Sequence, residues 1–309
     1  MSRSMNHRIR RQSTILGPAM TAGVELHGGE HVRLVIRPAP IDTGIVFVRT
    51  DVTDRDNRVH ADPANVSSTR NCTTLRNAAG VEVATVEHLL AAVASLGLDN
   101  LFIDLTGREI PAKDGSSAPF IDLIEQVGIT PQPSPRRYVR VLKPLRVEQG
   151  DAFAEITPSD RLELDVSINF DDAAIGQSRL QFTPDERSFR EDISRARTFA
   201  RMADVAALRR AGLSKGGSLD NAVVVEDGVV LNPEGLRYTD EFVRHKILDL
   251  MGDLYLGGPV LARVRTHCGG HALNHALLTR LYADPSAWRF EGLPMPGINP
   301  AAGDELATA

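Results

Sequence analysis

Three prolines fall within five residues in the stretch PQPSPRR (131–137). Proline fixes φ and has no backbone N–H to donate, so such a cluster cannot continue a helix or a central strand. It reads as a linker, and the pattern on either side supports a division there. Before it, VRLVIRP (32–38) and GIVFVRT (44–50) are rich in β-branched residues and flank the Pro38–Ala39–Pro40 turn, as strands do. TVEHLLAAVASLGLDN (85–100) reads as a helix. Its apolar residues recur at 86, 89, 90 and 93, Thr85 is placed to cap it and Gly97 to end it. NLFIDLTG (100–107) reads as a strand, and PAKDGSSAPFIDLIEQVG (111–128) as a loop running into a second helix.

After the prolines the order begins again. Strands at YVRVLKPLRVEQG, DAFAEITP and RLELDVSINF precede SFREDISRARTFARMADVAALRRAG (188–212), which reads as a helix followed by a less regular segment. AVVVEDGVVLNPEG (222–235) predicts a hairpin turning at Asp227–Gly228. TDEFVRHKILDLMGDLYLGG (239–258) predicts a helix capped by Thr239. PVLARVRTH (259–267) reads as a strand and HALNHALLTRLYAD (271–284) as a last helix. The fold class expected is α+β: two similar halves, 1–132 and 137–290, each with strands and two late helices, layered face to face. Residues 291–309, rich in Pro, Gly and Ala, are expected to be a flexible tail.

Composition removes several function classes. Hydrophobic residues are 42% and charged residues 24% of the chain, so wholesale disorder is excluded. The net charge of -5 and an aromatic content of 5% argue against nucleic-acid binding by charge or base stacking. Cys72 and Cys268 are the two cysteines, too few for a disulfide framework or a Cys-rich zinc module. No apolar run approaches the ~18 residues of a membrane span. Arg3, Arg8, Arg10 and Arg11 are followed by Gln12, Ser13 and Thr14 rather than by an apolar signal core. A cytoplasmic protein with no stable membrane insertion is expected.

Within helix 239–258, His245, Asp249 and Asp253 recur every four residues and share one stripe. A His and an Asp one turn apart can converge on a metal ion; the same spacing also occurs on ion-paired surfaces. Glu87 and His88 sit together in an otherwise apolar helix, where both need partners. A Glu beside a metal-binding His suits a general base, and an N-terminal Glu also suits the helix dipole. Gly269 and Gly270 precede His271, where close backbone approach could aim the ring into a cleft. Walker, dinucleotide and nucleophile-elbow motifs are absent from the sequence.

With these residues in view, the sequence resembles a known family. TVEHLLAAVASLGLDN, DGSSAPFIDLI, SRARTFA, GGSLDNAVVV, LNPEGLRYTDEFVRHKILDLMGDL and GGHALNHALL occur in the order of UDP-3-O-acyl-N-acetylglucosamine deacetylases, the zinc amidases of lipid A synthesis. The likeness runs from about Ile15 to about Tyr282. It implies a β-α-α-β sandwich with helix layer against helix layer, and hydrolysis of the N-acetyl group of an acylated UDP-amino sugar. It implies Zn2+, or Fe2+ in its place, on His88, His245 and Asp249. Glu87 matches the general base, His271 the catalytic histidine, Asp253 the acid that orients it and Thr198 an oxyanion donor. Lys246, His27, Phe170 and Phe199 match substrate-binding positions. An insert near 200–229 would form an apolar passage for the acyl chain, lined by Met202, Val205, Ala206 and Leu208. A small-molecule substrate and a monomer are expected.

Three positions depart from the family pattern: Asp172–Ala173 replaces a His-Pro pair, Cys268 a basic residue, and Glu25 a glycine. An added acid and a lost base near the nucleotide end would weaken a UDP substrate. They leave open a paralogue acting on a related N-acetyl sugar, or a non-catalytic acyl-sugar-binding protein. His7, His31, His60, His267 and His275 match no family role and read as surface or structural residues.

Overall fold

The structure, a computed structural model, describes residues 11–185 and 187–292. His7 and the expected tail beyond Gly292 lie outside them. The described residues contain five α-helices: α1 (Glu87–Ser95), α2 (Ala118–Val127), α3 (Met202–Arg210), α4 (Glu241–Tyr255) and α5 (His271–Tyr282).

Each half is a mixed sheet carrying a helix–strand–helix unit. The first sheet runs Ala19–Val24, His31–Pro38, Leu101–Leu105, Ile45–Arg49, Arg58–His60. Its middle strand, Leu101–Leu105, lies between α1 and α2 in sequence and pairs in parallel with Ile45–Arg49. The second is a seven-stranded sheet centred on Val260–His267, which lies between α4 and α5. That strand pairs in parallel with Arg137–Val141 at its start and with Glu163–Asn169 further along. Helices α1 and α4 pack against each other between the sheets, so the molecule is a four-layer α+β sandwich with its helices inside.

This placement explains the sequence of α1. Leu89, Leu90, Ala91, Ala92 and Val93 have no measurable exposure, so beyond Glu87 and His88 the helix is apolar on every side as far as Val93. Burying Leu89 and Leu90 stabilises the fold by roughly 1.5–3 kcal/mol each. Helix α2, at the surface, buries only Phe120, Ile121 and Ile124.

Several local expectations are corrected. The proline segment is a strand, Ile129–Pro135, paired with Arg11–Ile15 in a two-stranded sheet. Proline is tolerated there because a two-stranded ribbon leaves one side of each strand without ladder partners. Thr85 does not cap α1. It adopts φ +58° and its hydroxyl donates to Glu109. Thr239 does not cap α4, whose first flanking residue is Asp240. Glu291 and Gly292 end the strand Trp288–Gly292, paired with Arg137–Val141, and so are not tail. In 188–212 the helix comes last: a π turn (Phe189–Ile193) and a strand (Phe199–Arg201) precede α3. No residue of α3 is buried, so no apolar stripe announces it.

The expected insert is a small sheet of Phe199–Arg201, Val223–Glu226 and Val229–Val230, with α3 beside it. Its hairpin turns where expected, with Asp227 at φ 49° and Gly228 at φ 77°, a pair of positive angles suited to a tight hairpin. The first half carries a three-stranded insert too, Val66–Ser68, Thr74–Arg76 and Glu82–Ala84, which sequence reading did not anticipate.

Candidate active site

Helix α1 meets α4 at Gly252, where an added Cβ would overlap the carbonyl oxygen of Glu87. The missing side chain lets the two backbones touch, and this brings the Glu87–His88 pair of one half against the polar stripe of the other. His88, His245 and Asp249 converge, with their candidate ligand atoms all within 4.8 Å of one another. Asp249 Oδ1 lies 3.5 Å from His88 Nε2 and 3.3 Å from His245 Nε2. It is buried and has no hydrogen-bond partner. An anionic oxygen left in that state is costly unless a cation satisfies it.

The surrounding contacts prepare these atoms. His245 Nδ1 lies 3.1 Å from the carbonyl oxygen of Ala196, an acceptor only. Nδ1 therefore holds the proton, and Nε2 presents its lone pair to the cluster. Burial pushes His245 down to about 3, against the opposing pull of Asp249, so its ring is neutral. Burial works against charge on Asp249, but the group is held well below the usual carboxylate range, with the Lys246 ammonium in contact with it favouring the carboxylate. The other oxygen of Asp249 accepts from Lys246 Nζ at 2.7 Å. Two imidazoles and a carboxylate fit a divalent transition metal, and three such ligands leave a position open.

Beside this cluster, His271 Nδ1 lies 2.8 Å from Asp253 Oδ2, and His271 Nε2 lies 3.7 Å from Glu87 Oε1. Burial opposes a charge on His271, but Asp253 and Glu87 outweigh it and raise the group to about 10. Burial raises Glu87 to about 8, with the His271 charge restraining it. Two residues that sequence reading missed tie this pair together. Thr73 donates its hydroxyl to Asp253 at 2.6 Å and its N–H to Glu87 at 3.1 Å. Asn274 donates to Asp253 at 2.8 Å. Thr73 follows Cys72 in a loop with no recognisable pattern. Asn274, three residues after His271, could have been found as its helical neighbour.

The Arg197–Thr198–Phe199 segment is held by a third unforeseen contact. Arg197 is buried and donates from its backbone N–H and from Nε to Glu241 at the head of α4, both at 2.9 Å. Thr198 and the cluster line the same cavity, of about 700 Å³. His27, Glu87, His88, Thr198, Phe199, His245, Lys246, Asp249 and His271 line that cavity; Asp253 stands behind His271. Phe170 is not on the wall but packs edge-on against Phe199 at 5.6 Å. Both ring nitrogens of His27 are buried without partners. Further out, Met202, Val205 and Leu208 line the cavity as expected; Ala206 does not and is exposed, with Ala207 on the wall instead.

The departures look different in place. Glu25 does not face the cavity: it is buried, and its Oε1 accepts the N–H of Glu109 at 3.0 Å. Cys268 is off the cavity wall, whereas Arg70 and Arg209 are on it. Gly270 is extended, at φ -163°, and an added Cβ there would meet nothing, so it is not required for close approach. The residue with left-handed backbone in that loop is Cys268, at φ 47°.

A family model described as UDP-3-O-acyl N-acetylglycosamine deacetylase matches residues 12–283. A protein of Phenylobacterium zucineum named UDP-3-O-acyl-N-acetylglucosamine deacetylase is 47% identical over 279 residues, 90% of this chain and 95% of that one. Proteins of the same name are 45% identical in Acidithiobacillus ferrooxidans, over 91% of this chain and 92% of theirs, and 44% identical in Chromobacterium violaceum, over 96% and 98%.

Proposed function

The chain belongs to the UDP-3-O-acyl N-acetylglycosamine deacetylase family and is a deacetylase of lipid A biosynthesis, and from that premise we propose that His88, His245 and Asp249 hold its metal, Zn2+, with Fe2+ accepted by the same donors. The observation that carries this reading is the orphaned, buried Asp249 Oδ1 between two imidazole nitrogens, on the wall of a cavity that also holds Glu87 and His271, themselves 3.7 Å apart. When bound, such an ion supplies Lewis acidity, drawing the pKa of water towards about 7 and polarising an amide carbonyl.

The chain's own groups do the rest. Glu87 takes the proton released as water adds to the acetamide carbon. The Thr198 hydroxyl donates to the oxyanion that develops, a contact worth roughly 3–4 kcal/mol in comparable sites. His271, held cationic by Asp253, passes its proton to the departing amine, so acetate leaves and a free 2-amino sugar remains. The acyl chain occupies the apolar reach of the cavity along Met202, Val205 and Leu208. Lys246, His27, Phe199 and, behind it, Phe170 shape the sugar end. The substrate is a small UDP-linked acylated amino sugar, and the protein acts as a cytoplasmic monomer divided near Arg136.

The test is to purify the protein with its metal, measure the metal content, and assay acetate release from the UDP-linked acyl substrate. Glu87→Gln should keep the metal and lose about 10²–10⁴-fold in kcat. A metal-replete wild-type protein without turnover, or a variant that keeps full turnover, would overturn the reading.

A further inference from the structure

Ser167, His267 and Cys268 form a cluster that the deacetylase chemistry does not use. Ser167 stands opposite His267 in parallel register on the neighbouring strand. Its Oγ lies 3.1 Å from the carbonyl oxygen of Thr266 and 2.9 Å from His267 Nδ1. A hydroxyl has one proton and a carbonyl can only accept, so Ser167 donates to Thr266 and must accept from His267. His267 therefore carries its proton on Nδ1, and Nε2 presents a lone pair. That nitrogen lies 3.5 Å from Cys268 Sγ, closer than the other acceptor by the thiol, the carbonyl of Asn169 at 4.0 Å.

The setting fits a nucleophile. Cys268 is part exposed, whereas Cys72 is buried. The N–H of Cys268 donates to the Ser167 carbonyl at 2.8 Å, which ties the thiol to the relay. Phe153, opposite His267 on the adjacent strand, packs against its ring at 5.9 Å. Arg146 and Arg265 stack on the Phe153 ring at 3.8 and 5.3 Å; Arg146 is paired with Glu148 and Glu155, so Arg265 is the cation of that stack that brings positive charge to the border of the cluster. The carboxylates of these strands are paired: Glu148 and Glu155 with Arg146, Asp165 with Arg179, and Glu163 with Arg161 and Arg263. A thiol beside an imidazole nitrogen positioned to take its proton is a better nucleophile than one without such a base.

We propose that Cys268, served by His267 and Ser167, is a covalent thiol site that takes low-molecular-weight disulfides and other soft electrophiles. In the disulfide reaction the Cys268 proton moves to His267 Nε2 and the sulfur attacks one sulfur of RS–SR. A Cys268–SR bond forms, the old S–S bond breaks, and RS⁻ leaves and recovers the proton as RSH. Sulfur is exchanged without net oxidation or reduction of the pair of reactants.

The site is tested by mass, on the full chain, independently of any deacetylase assay. With limiting iodoacetamide at pH 7 and free glutathione as competitor, peptide mapping should find Cys268 alkylated about tenfold faster than glutathione, and Cys72 unlabelled. His267→Gln should bring Cys268 to the glutathione rate, and Ser167→Ala should fall between. Glutathione disulfide should add one glutathione at Cys268, removable by dithiothreitol. A Cys268 that labels no faster than glutathione, that keeps its rate in both variants, or that forms no mixed disulfide overturns the proposal.

Discussion

Asp253 touches no wall of the cavity, yet it holds the charge on which His271 depends. Its Oδ2 accepts from His271 and its Oδ1 from Thr73. Removing that anion leaves burial as the main influence on the imidazole, and burial lowers it. Asp253→Asn should therefore move the alkaline limb of kcat/KM to lower pH by about one unit or more, with metal content unchanged. A pH profile that stays in place would show that Asp253 is structural only. The same groups set how the metal-free protein responds to pH. His271, at about 10 when folded and 6.5 as a free group, stays protonated in the native state after the unfolded chain has released its proton. Glu87, at about 8 against 4.5, does likewise over its own range. Both contributions favour the fold at low pH and are lost as pH rises, together between 6.5 and 8 and then through His271 alone towards 10. His245 acts in the other sense: at about 3 when folded, it refuses a proton that the unfolded chain binds below 6.5. Between 4.5 and 6.5 it offsets Glu87. Chelated protein should thus have its highest melting temperature at mildly acidic pH and lose it from pH 6.5 to 9. A melting temperature that rises over that interval would contradict the assignment of these charges.

At the scale of elements, the long helices were legible because their composition is decided by what surrounds them. Helix α4 shows its buried and polar stripes directly, and the hairpin at Asp227–Gly228 announces its own backbone angles. What was not legible depends on residues distant in sequence. Thr85 looks like a cap, but Glu109 captures its hydroxyl at 2.7 Å. Thr73 meets Asp253 across 180 residues, a contact that no local pattern encodes. Gly252 belongs to the same class. In a 15-residue helix a mid-chain glycine costs about 0.5–1 kcal/mol relative to alanine, so it reads as a weakness. The contact with the Glu87 backbone reverses that reading. Gly252→Ala should force α1 and α4 apart at the point where Glu87 and His88 enter the site. The expected result is a loss of roughly 1–3 kcal/mol of stability and weaker metal binding, read by thermal melts and metal titration. A variant that melts higher, as helix propensity alone requires, would mean that the helices do not touch there.

Across the whole molecule, the two halves are joined at both ends of the helix pair. At one end, His88 comes from the first half and His245 and Asp249 from the second, so one ion would bind both. At the other, Arg136 is buried between them. Its Nε donates to Asp99 and its Nη2 to the Tyr255 hydroxyl, both at 2.8 Å, while Tyr255 donates to the carbonyl of Leu98. Reading Pro131–Arg137 as a linker missed this, because the prolines hide an arginine whose partners lie 37 residues back and 119 residues on. Arg136→Met should cost roughly 3–5 kcal/mol, since it leaves Asp99 in the interior without its cation. The ion acts at the opposite end by mass action, adding about 2.7 kcal/mol at a hundredfold excess over its Kd. If both fastenings hold the same interface, chelation and Arg136→Met should lower the melting temperature by more together than the sum of their separate effects, because each leaves the other as the remaining tie between the halves. Strict additivity in thermal melts of the four states would mean that the ends act independently, and that the sandwich opens locally at each site rather than along the seam between α1 and α4.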